Sequence, residues 1–443
     1  MSRRVAVIGA GWAGLSAAVA LHDAGCAVSV FEAGHTPGGR AQRVESHGFQ
    51  APLDNGQHLL LGAYHAVLAL MKRLDRDPEH LFLRQPLTLA RIDGGFVLRA
   101  PRLPAPLHAA AALLGARGLG IRERLAATRL VMELRRRGWT TDPGATVTSL
   151  LIALSQPSGL VETLWHPLCI AALNTPPDAA CAQLFCNVLR DTLDAPRAAS
   201  DLLLPRTDLS ALWPDAAAAL CDMRYGHAVR TLEPDGPAIR VDGERFDAAV
   251  LAVSPRTGAR LLQPLPEAAA LVQTLAAFRY LPIATLTVQL AAPIEPLPCP
   301  MMMLYEEPAR GHFGQWLFDR TRLLGLTPGT PELALVASDA GALAAMPRDQ
   351  AQACLIAQLQ SQLDIPAVVR SQLIIEKNAT FRAVPGLVRP GCNTPWSQLA
   401  LAGDWTDTGY PGVLEGAVRS GTAAARHLIA MSDRAQDSQP WHP

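Results

Sequence analysis

The residues with the clearest chemical use stand near the start of the chain. Gly9, Gly11 and Gly14 form a G-x-G-x-x-G pattern between the β-branched run Val5–Ile8 and the alanine-rich stretch Leu15–Ala24, with Gly25 placed to end a helix there. Each glycine has a use in this setting. Gly9 permits a tight turn, Gly11 lets the backbone approach a pyrophosphate, and Gly14 allows a helix to pack closely on the strand before it. The helix N-terminus then offers unpaired N–H groups to phosphate oxygens. The glycine pattern alone is common; a strand before it, a helix after it and an acid downstream make it specific. The acid is Glu32, 18 residues past Gly14, closing a second expected strand, Ala27–Phe31. Its carboxylate can accept both ribose hydroxyls and would repel a 2′-phosphate, which argues against NADP.

Gly38-Gly39-Arg40 follows the acid closely. Two glycines let the chain lie against a cofactor, and an arginine can meet a phosphate or a flavin edge. The resulting pattern, E-x-x-x-x-x-G-G-R, resembles the flavin amine oxidase and phytoene desaturase superfamily, and the likeness extends over nearly the whole chain. The resemblance implies FAD, bound by a domain assembled from separated segments. It also assigns roles further along. Val229, in Ala228-Val229, would contact adenine through its backbone. Asp404, in Gly403-Asp404, would bind the ribityl or phosphate region. Gly412-Val413 would open the last helix, aiming its positive end at the flavin N1–C2=O edge to favour the reduced anion. Asp404 has a plainer reading as a turn or capping aspartate.

Four stretches are more particular: Asp54-Asn-Gly-Gln-His58-Leu-Leu-Leu-Gly-Ala-Tyr64, Trp165 to Thr175, Asp201-Leu-Leu-Leu-Pro-Arg206, and the run from Ala402 to Gly421. Together they look like the squalene-associated FAD-dependent desaturase group, the hydroxysqualene dehydroxylases. That resemblance implies hydride delivery from reduced FAD to an allylic carbon of hydroxysqualene, loss of water, and squalene for hopanoid synthesis. The departing hydroxyl needs a general acid, and the developing allylic cation needs a dry pocket. Asp54, His58 and His166 are the candidate acids. Each has a structural alternative: Asp54 as a turn holder, His58 bonded to backbone or cofactor, His166 packed beside Pro167. Tyr410 could line the pocket or simply pack in the core. Three rival readings share the motifs: a phytoene- or dehydrosqualene-type desaturase, with electrons running the other way; a flavin amine oxidase; and a flavin-bearing scaffold without turnover. The amine oxidase reading is weakened by a chain with lysine only at Lys72 and Lys377 and with 5% aromatic residues.

These residues need an α/β frame: a Rossmann-like FAD-binding domain assembled from dispersed segments, with an inserted α+β substrate domain. The expected division is 1–94, 206–270 and 389–431 for the FAD-binding parts, 95–205 (mainly helical) and 271–388 for the substrate domain, and 432–443 as a polar, frayed tail. Strands are expected at Gly226–Leu232, Ala238–Val241, Phe246–Val253 and Leu399–Ala402, in ATLTVQL, ELALVAS and QLIIEK, and helices at Ala351–Leu363 and Leu414–Ile429. The 443 residues are ample for two or three domains, and 49% hydrophobic with 18% charged residues is globular and leans apolar. A net charge of zero excludes a strong global field for nucleic acid. Eight cysteines without a C-x-x-C pair argue against zinc or iron–sulfur sites and fit a reduced, cytoplasmic protein. The N-terminal apolar run is broken by glycines, unlike a signal peptide, and no uninterrupted apolar stretch is long enough for a spanning helix. The arginine-rich, apolar-striped segment Ile121–Trp139 could lie on the inner face of a membrane, from which a lipid-like isoprenoid would be collected, or be an ordinary surface helix. No second nicotinamide pattern is present, so the electron donor that reduces FAD is not legible.

Overall fold

The structure is a computed structural model describing residues 2–437, with side chains described as far as Met431. Its first sheet is parallel and draws its strands from across the chain, in the order Asp222–Arg224, Ala27–Phe31, Arg4–Ile8, Ala248–Leu251, Leu399–Leu401. Val5–Ile8 and Ala248–Leu251 are buried along their whole length. Near-continuous apolar runs are what a parallel strand covered on both faces requires. The helix Trp12–Asp23 packs on this sheet together with the last helix, Leu414–Asp437, through small residues such as Ala13, Ala17, Ala424 and Ala425.

A second sheet is antiparallel, in the order Met301–Met303, Trp316–Asp319, Glu332–Ala337, Tyr280–Leu290, Val368–Phe381. Leu355 and Leu359 of the helix Arg348–Gln362 belong to the core beneath it. Residues 107–193 are mainly helical, with helices at Leu107–Leu114, Ile121–Arg136, Val147–Ala153, His166–Leu173 and Ala182–Leu193. This is the α/β architecture the sequence predicts: a dinucleotide-binding fold from dispersed segments with an α+β insertion.

Three local expectations need correction. Gly226–Leu232 is not a strand: a turn at Gly226 leads into irregular backbone, and the strand begins at Leu232. The sheet strand lies just before it, at Asp222–Arg224, where a single half-buried methionine between two charged residues hides a sheet-edge position from an apolar pattern. The run expected as one strand from Phe246 is divided. Glu244–Phe246 joins an antiparallel hairpin and Ala248–Leu251 the parallel sheet. Asp247 between them is fastened to Arg4, donating its N–H to the Arg4 carbonyl and accepting the Arg4 N–H on its carboxylate (2.8 Å). The last helix runs past Ile429 to Asp437, into the expected tail; residues 438–443 of that tail lie outside the described residues.

Candidate active site

The strand–turn–helix at the N-terminus explains its glycines by distance. Gly9 has φ +103°, and a Cβ there would stand 2.5 Å from the Ala252 carbonyl oxygen. A Cβ on Gly14 would stand 1.9 Å from the Gly9 oxygen. No other residue fits either place, so the first helix starts directly against the sheet. Gly11 caps that helix and bridges to Gly38, with Gly39 beside it at φ +63°. Glu32, at the end of its strand, accepts the Ala10 N–H (2.8 Å) on one carboxylate oxygen and the Gly34 N–H (2.7 Å) on the other. The acid is thereby fixed at the lip of the glycine turn.

Arg40 donates to Asp404 Oδ1 (2.5 Å) and to the Ala379 carbonyl (2.7 Å). Residues 364 apart in sequence thus meet as an ion pair, Arg40 half-open to the cavity and Asp404 buried. Burial works against the Arg40 charge, and Asp404, with Tyr280 and Glu376 adding to it, more than offsets this. Gly403 donates its N–H to Ser420 Oγ (2.8 Å), tying this turn to the last helix. That helix begins at Leu414, and among the described residues the amides of Leu414, Glu415 and Gly416 have no acceptor. They leave the positive end of a long dipole open beside Gly412 and Val413. Val229 is buried, and its carbonyl accepts from Arg260 (3.3 Å).

Most of these groups line one cavity of about 800 Å³. Gly9, Gly11, Glu32, Gly39, Arg40, Val229, Gly403, Asp404, Gly412 and Val413 are all in its wall; Gly14 lies behind the turn. The cavity continues between the helical block and the antiparallel sheet, where Leu89, Leu98, Leu113, Leu168, Phe185 and Leu189 form its wall. The residues fit FAD: the turn that a Cβ would fill, the open helix N-termini and the Arg40–Asp404 pair offer phosphate, ribityl and flavin-edge contacts in series.

The three candidate acids are not brought together. His58 lines the cavity, and its Nδ1 is 2.7 Å from the Gly56 carbonyl, which makes Nδ1 the protonated nitrogen. Burial lowers its pKa, with Arg40 nearby adding to this, so the ring rests uncharged and offers an acceptor at Nε2. Asp54 faces a separate cavity of about 150 Å³ with Asp208 and Arg320, and its Oδ1 accepts the Leu209 N–H (2.9 Å). Burial pushes its carboxyl up to about 7. His166 opens the helix His166–Leu173 outside the cavity wall, and burial lowers it too.

Sequence reasoning missed the pairing of Tyr410 with Asp191. Both line the cavity, and the Tyr410 hydroxyl donates to Asp191 Oδ2 (2.5 Å). It also missed Arg389, which donates to the carbonyls of Asp404 (2.9 Å), Trp405 (3.2 Å), Thr406 and Tyr410 (2.6 Å) and so shapes the loop that carries Asp404 and Tyr410. Buried Glu415 was passed over as well; its carboxylate accepts the amides of Ala66 and Val67 (3.0–3.1 Å) at the start of the helix His65–Arg73. Its place four residues before Arg419 was the available signal.

Comparison with known proteins agrees with this geometry. The profile of the family described as flavin containing amine oxidoreductase matches residues 12–429. Hydroxysqualene dehydroxylase of Rhodopseudomonas palustris is 33% identical, over 97% of this chain and 99% of its own. The protein of that name from Sinorhizobium fredii is 30% identical over 96% and 98%. Among solved structures, putrescine oxidase bound to putrescine superposes with a TM-score of 0.72 at 19% identity, over 97% of this chain and 99% of its own, a likeness of fold. The cofactor is therefore FAD, the protein is an oxidoreductase, and the chain belongs to the flavin-containing amine oxidoreductase family, within its hydroxysqualene dehydroxylase branch.

Proposed function

We propose that the protein reduces hydroxysqualene to squalene, with loss of the hydroxyl as water. The observation that carries this reading is the single cavity that joins a dinucleotide cradle to a long apolar chamber. Bound FAD in its reduced form supplies hydride. The chain's own residues do the rest. Gly9, Gly11, Gly14 and Gly39 admit the pyrophosphate, Glu32 takes the ribose, and Val229 meets the adenine. Arg40, Gly403 and Asp404 hold the ribityl and phosphate region, and Gly412 and Val413 set a helix N-terminus against the flavin. The leucine and phenylalanine walls exclude water from an allylic carbon on which positive charge develops. His58 orients the substrate hydroxyl as an acceptor; Asp54 and His166 act outside the cavity wall, on the fold. The division into FAD-binding segments 1–94, 206–270 and 389–431 and substrate segments 95–205 and 271–388 is part of the same proposal, supported by the five parallel-sheet strands, all of which fall in the FAD-binding segments; the cuts at 94/95, 270/271 and 431/432 pass through a hairpin and two helices and so mark the division only approximately.

The proposal extends to a peripheral contact with an anionic bilayer. Ile121, Leu125 and Met132 recur on one side of their helix and are exposed, Ile121 by 76%. Leu107 and Leu114 repeat this on the helix packed against it, and Ile152 follows on the next. Residues 101–137 carry eight arginines and two glutamates in a chain of zero net charge. Apolar side chains set among arginines suit the interface of an acidic membrane. Ala109, Ala112 and Leu113, from the same helix as Leu107 and Leu114, line the cavity, so one helix separates the chamber from this surface. No helix among the described residues is long and apolar enough to cross a membrane.

The test is anaerobic. FAD-loaded protein is reduced, hydroxysqualene is added, and flavin absorbance and product mass are followed together. Reoxidation with an equal amount of squalene supports the reading. A flavin that stays reduced, while the oxidised protein is bleached by phytoene-like substrates or amines, replaces it with a desaturase or an oxidase.

A further inference from the structure

We propose that Tyr410 protonates the departing hydroxyl and is reloaded through Asp191, the two forming a proton relay from the protein surface into the cavity. The inference rests on the reductive dehydroxylation proposed above and names the acid that reaction needs. Asp191 belongs to the helix Ala182–Leu193, whose Phe185, Val188 and Leu189 line the apolar chamber. It places a carboxylate at the edge of this apolar wall, one oxygen paired with Arg190 and the other turned to the cavity-lining Tyr410. Tyr410 lines the cavity two residues before Gly412, at the junction between the cofactor cradle and the chamber. The 2.5 Å bond from its hydroxyl to Asp191 Oδ2 joins the two. The other Asp191 oxygen accepts from Nε of Arg190 (2.7 Å), which is exposed, so the relay opens outward.

The surroundings are arranged for a phenol that gives up a proton and recovers it. The Arg419 guanidinium lies 4.8 Å from the Tyr410 ring centroid and is held there by Glu415 (2.7 Å). Its charge attenuates the cost of a transient phenolate. Arg389 fixes the Tyr410 carbonyl. Burial first, and the bond to Asp191 second, raise the Tyr410 pKa, so the phenol rests protonated. The charged and titratable groups facing the pair are Arg190, Arg419, Glu415 and Tyr64, the last a cavity-lining tyrosine.

At rest the Tyr410 hydrogen points to the Asp191 carboxylate. Once Asp191 takes a proton from solvent, its O–H donates to the Tyr410 oxygen and frees the phenolic hydrogen for the substrate. The C–O bond then breaks with both electrons going to oxygen, which takes that hydrogen and leaves as water. The carbon receives the hydride that the family's cofactor chemistry supplies, and the Asp191 proton passes to Tyr410. One hydride and one proton are consumed, and one water is released. Asp191 also leaves a negative charge beside the allylic cation as it forms.

The experiment uses the full-length, FAD-loaded, prereduced protein and follows single-turnover reoxidation from pH 5 to 9 in H2O and D2O. Two substrates are compared: the alcohol, and the allylic chloride of the same skeleton, whose leaving group needs no proton. Tyr410→Phe should keep FAD content and flavin spectrum, slow the alcohol by about 100-fold or more, and leave the chloride near the parent rate. Asp191→Asn, whose amide can still donate to Tyr410 but cannot hand on a proton, should slow the alcohol and lower the D2O effect. A Tyr410→Phe rate within threefold of the parent overturns the relay. So does equal slowing on alcohol and chloride, which marks a structural role. If the parent itself forms no squalene, the reading of the reaction falls, and the failure appears in the parent rather than in the variants.

Discussion

At the scale of single residues, distances decide what each side chain tolerates. A methyl group on Gly9 meets the Ala252 oxygen at a φ that side chains avoid. Gly9→Ala should cost on the order of 2–3 kcal/mol and yield protein with little bound flavin, read from the absorbance ratio of flavin to protein. Asp54 makes a pH prediction. Its carboxyl rests at about 7 in the fold against 3.8 when free, chiefly through burial. Between those values the folded state binds the extra proton, so stability falls as pH rises from about 4 through 7 and is flat above. Asp54→Asn keeps an acceptor for the Leu209 amide and should flatten that slope, stabilising the protein more at pH 8 than at pH 5 in denaturant titrations. Glycines, Glu32 and Arg40 were readable because they fall in one motif within the first forty positions, even though Gly9 and Arg40 meet partners as distant as Ala252 and Asp404. Tyr410 and Asp191 were not: 219 positions separate them, and nothing local marks either as half of a pair. Asp54 and His58 looked alike in sequence, yet one turn at Asn55–Gln57 sends them to different cavities.

At the scale of elements, the amphipathic pattern carries the membrane prediction. Ile121→Ser, Met132→Ser and Ile152→Ser remove the most exposed apolar side chains of the helical block, none of which lines the cavity. The triple variant should float with phosphatidylglycerol vesicles at least tenfold less than the parent while keeping its thermal midpoint, because exposed serines cost the fold little. Equal flotation would make this face an ordinary surface. Periodicity also explains which elements were readable. Val5–Ile8 and Ala248–Leu251 advertise burial on both faces, and the long strands Tyr280–Leu290 and Val368–Phe381 contain their apolar cores. Asp222–Arg224 advertises nothing, since a three-residue edge strand is held by backbone pairing with Ala27–Phe31.

At the scale of the whole molecule, cofactor and fold depend on each other. The cradle takes residues from the first strand to the last helix, so FAD should bind the folded chain and not the unfolded one. Free FAD at 100 times its Kd should then add about 2.7 kcal/mol of stability, seen as a thermal midpoint that rises with FAD concentration; a midpoint indifferent to FAD would mean the cradle is not coupled to folding. Arg40→Met, which leaves buried Asp404 without its partner, should cost about 2 kcal/mol without FAD, between the values for exposed and buried pairs.

The order of strands in the parallel sheet has a consequence for how the protein is made. The first two strands are complete at Phe31, whereas the fifth begins at Leu399 and the helix that closes the cradle at Leu414. At roughly 5–20 residues per second of translation, an emerging chain would wait roughly 20–70 s with the Gly9 turn already synthesised and no finished sheet to hold it. FAD capture then belongs to the last moments of synthesis. Chains stalled before Leu399 would present a bare apolar chamber to the chaperones, so FAD supply should matter more to completed chains than to nascent ones.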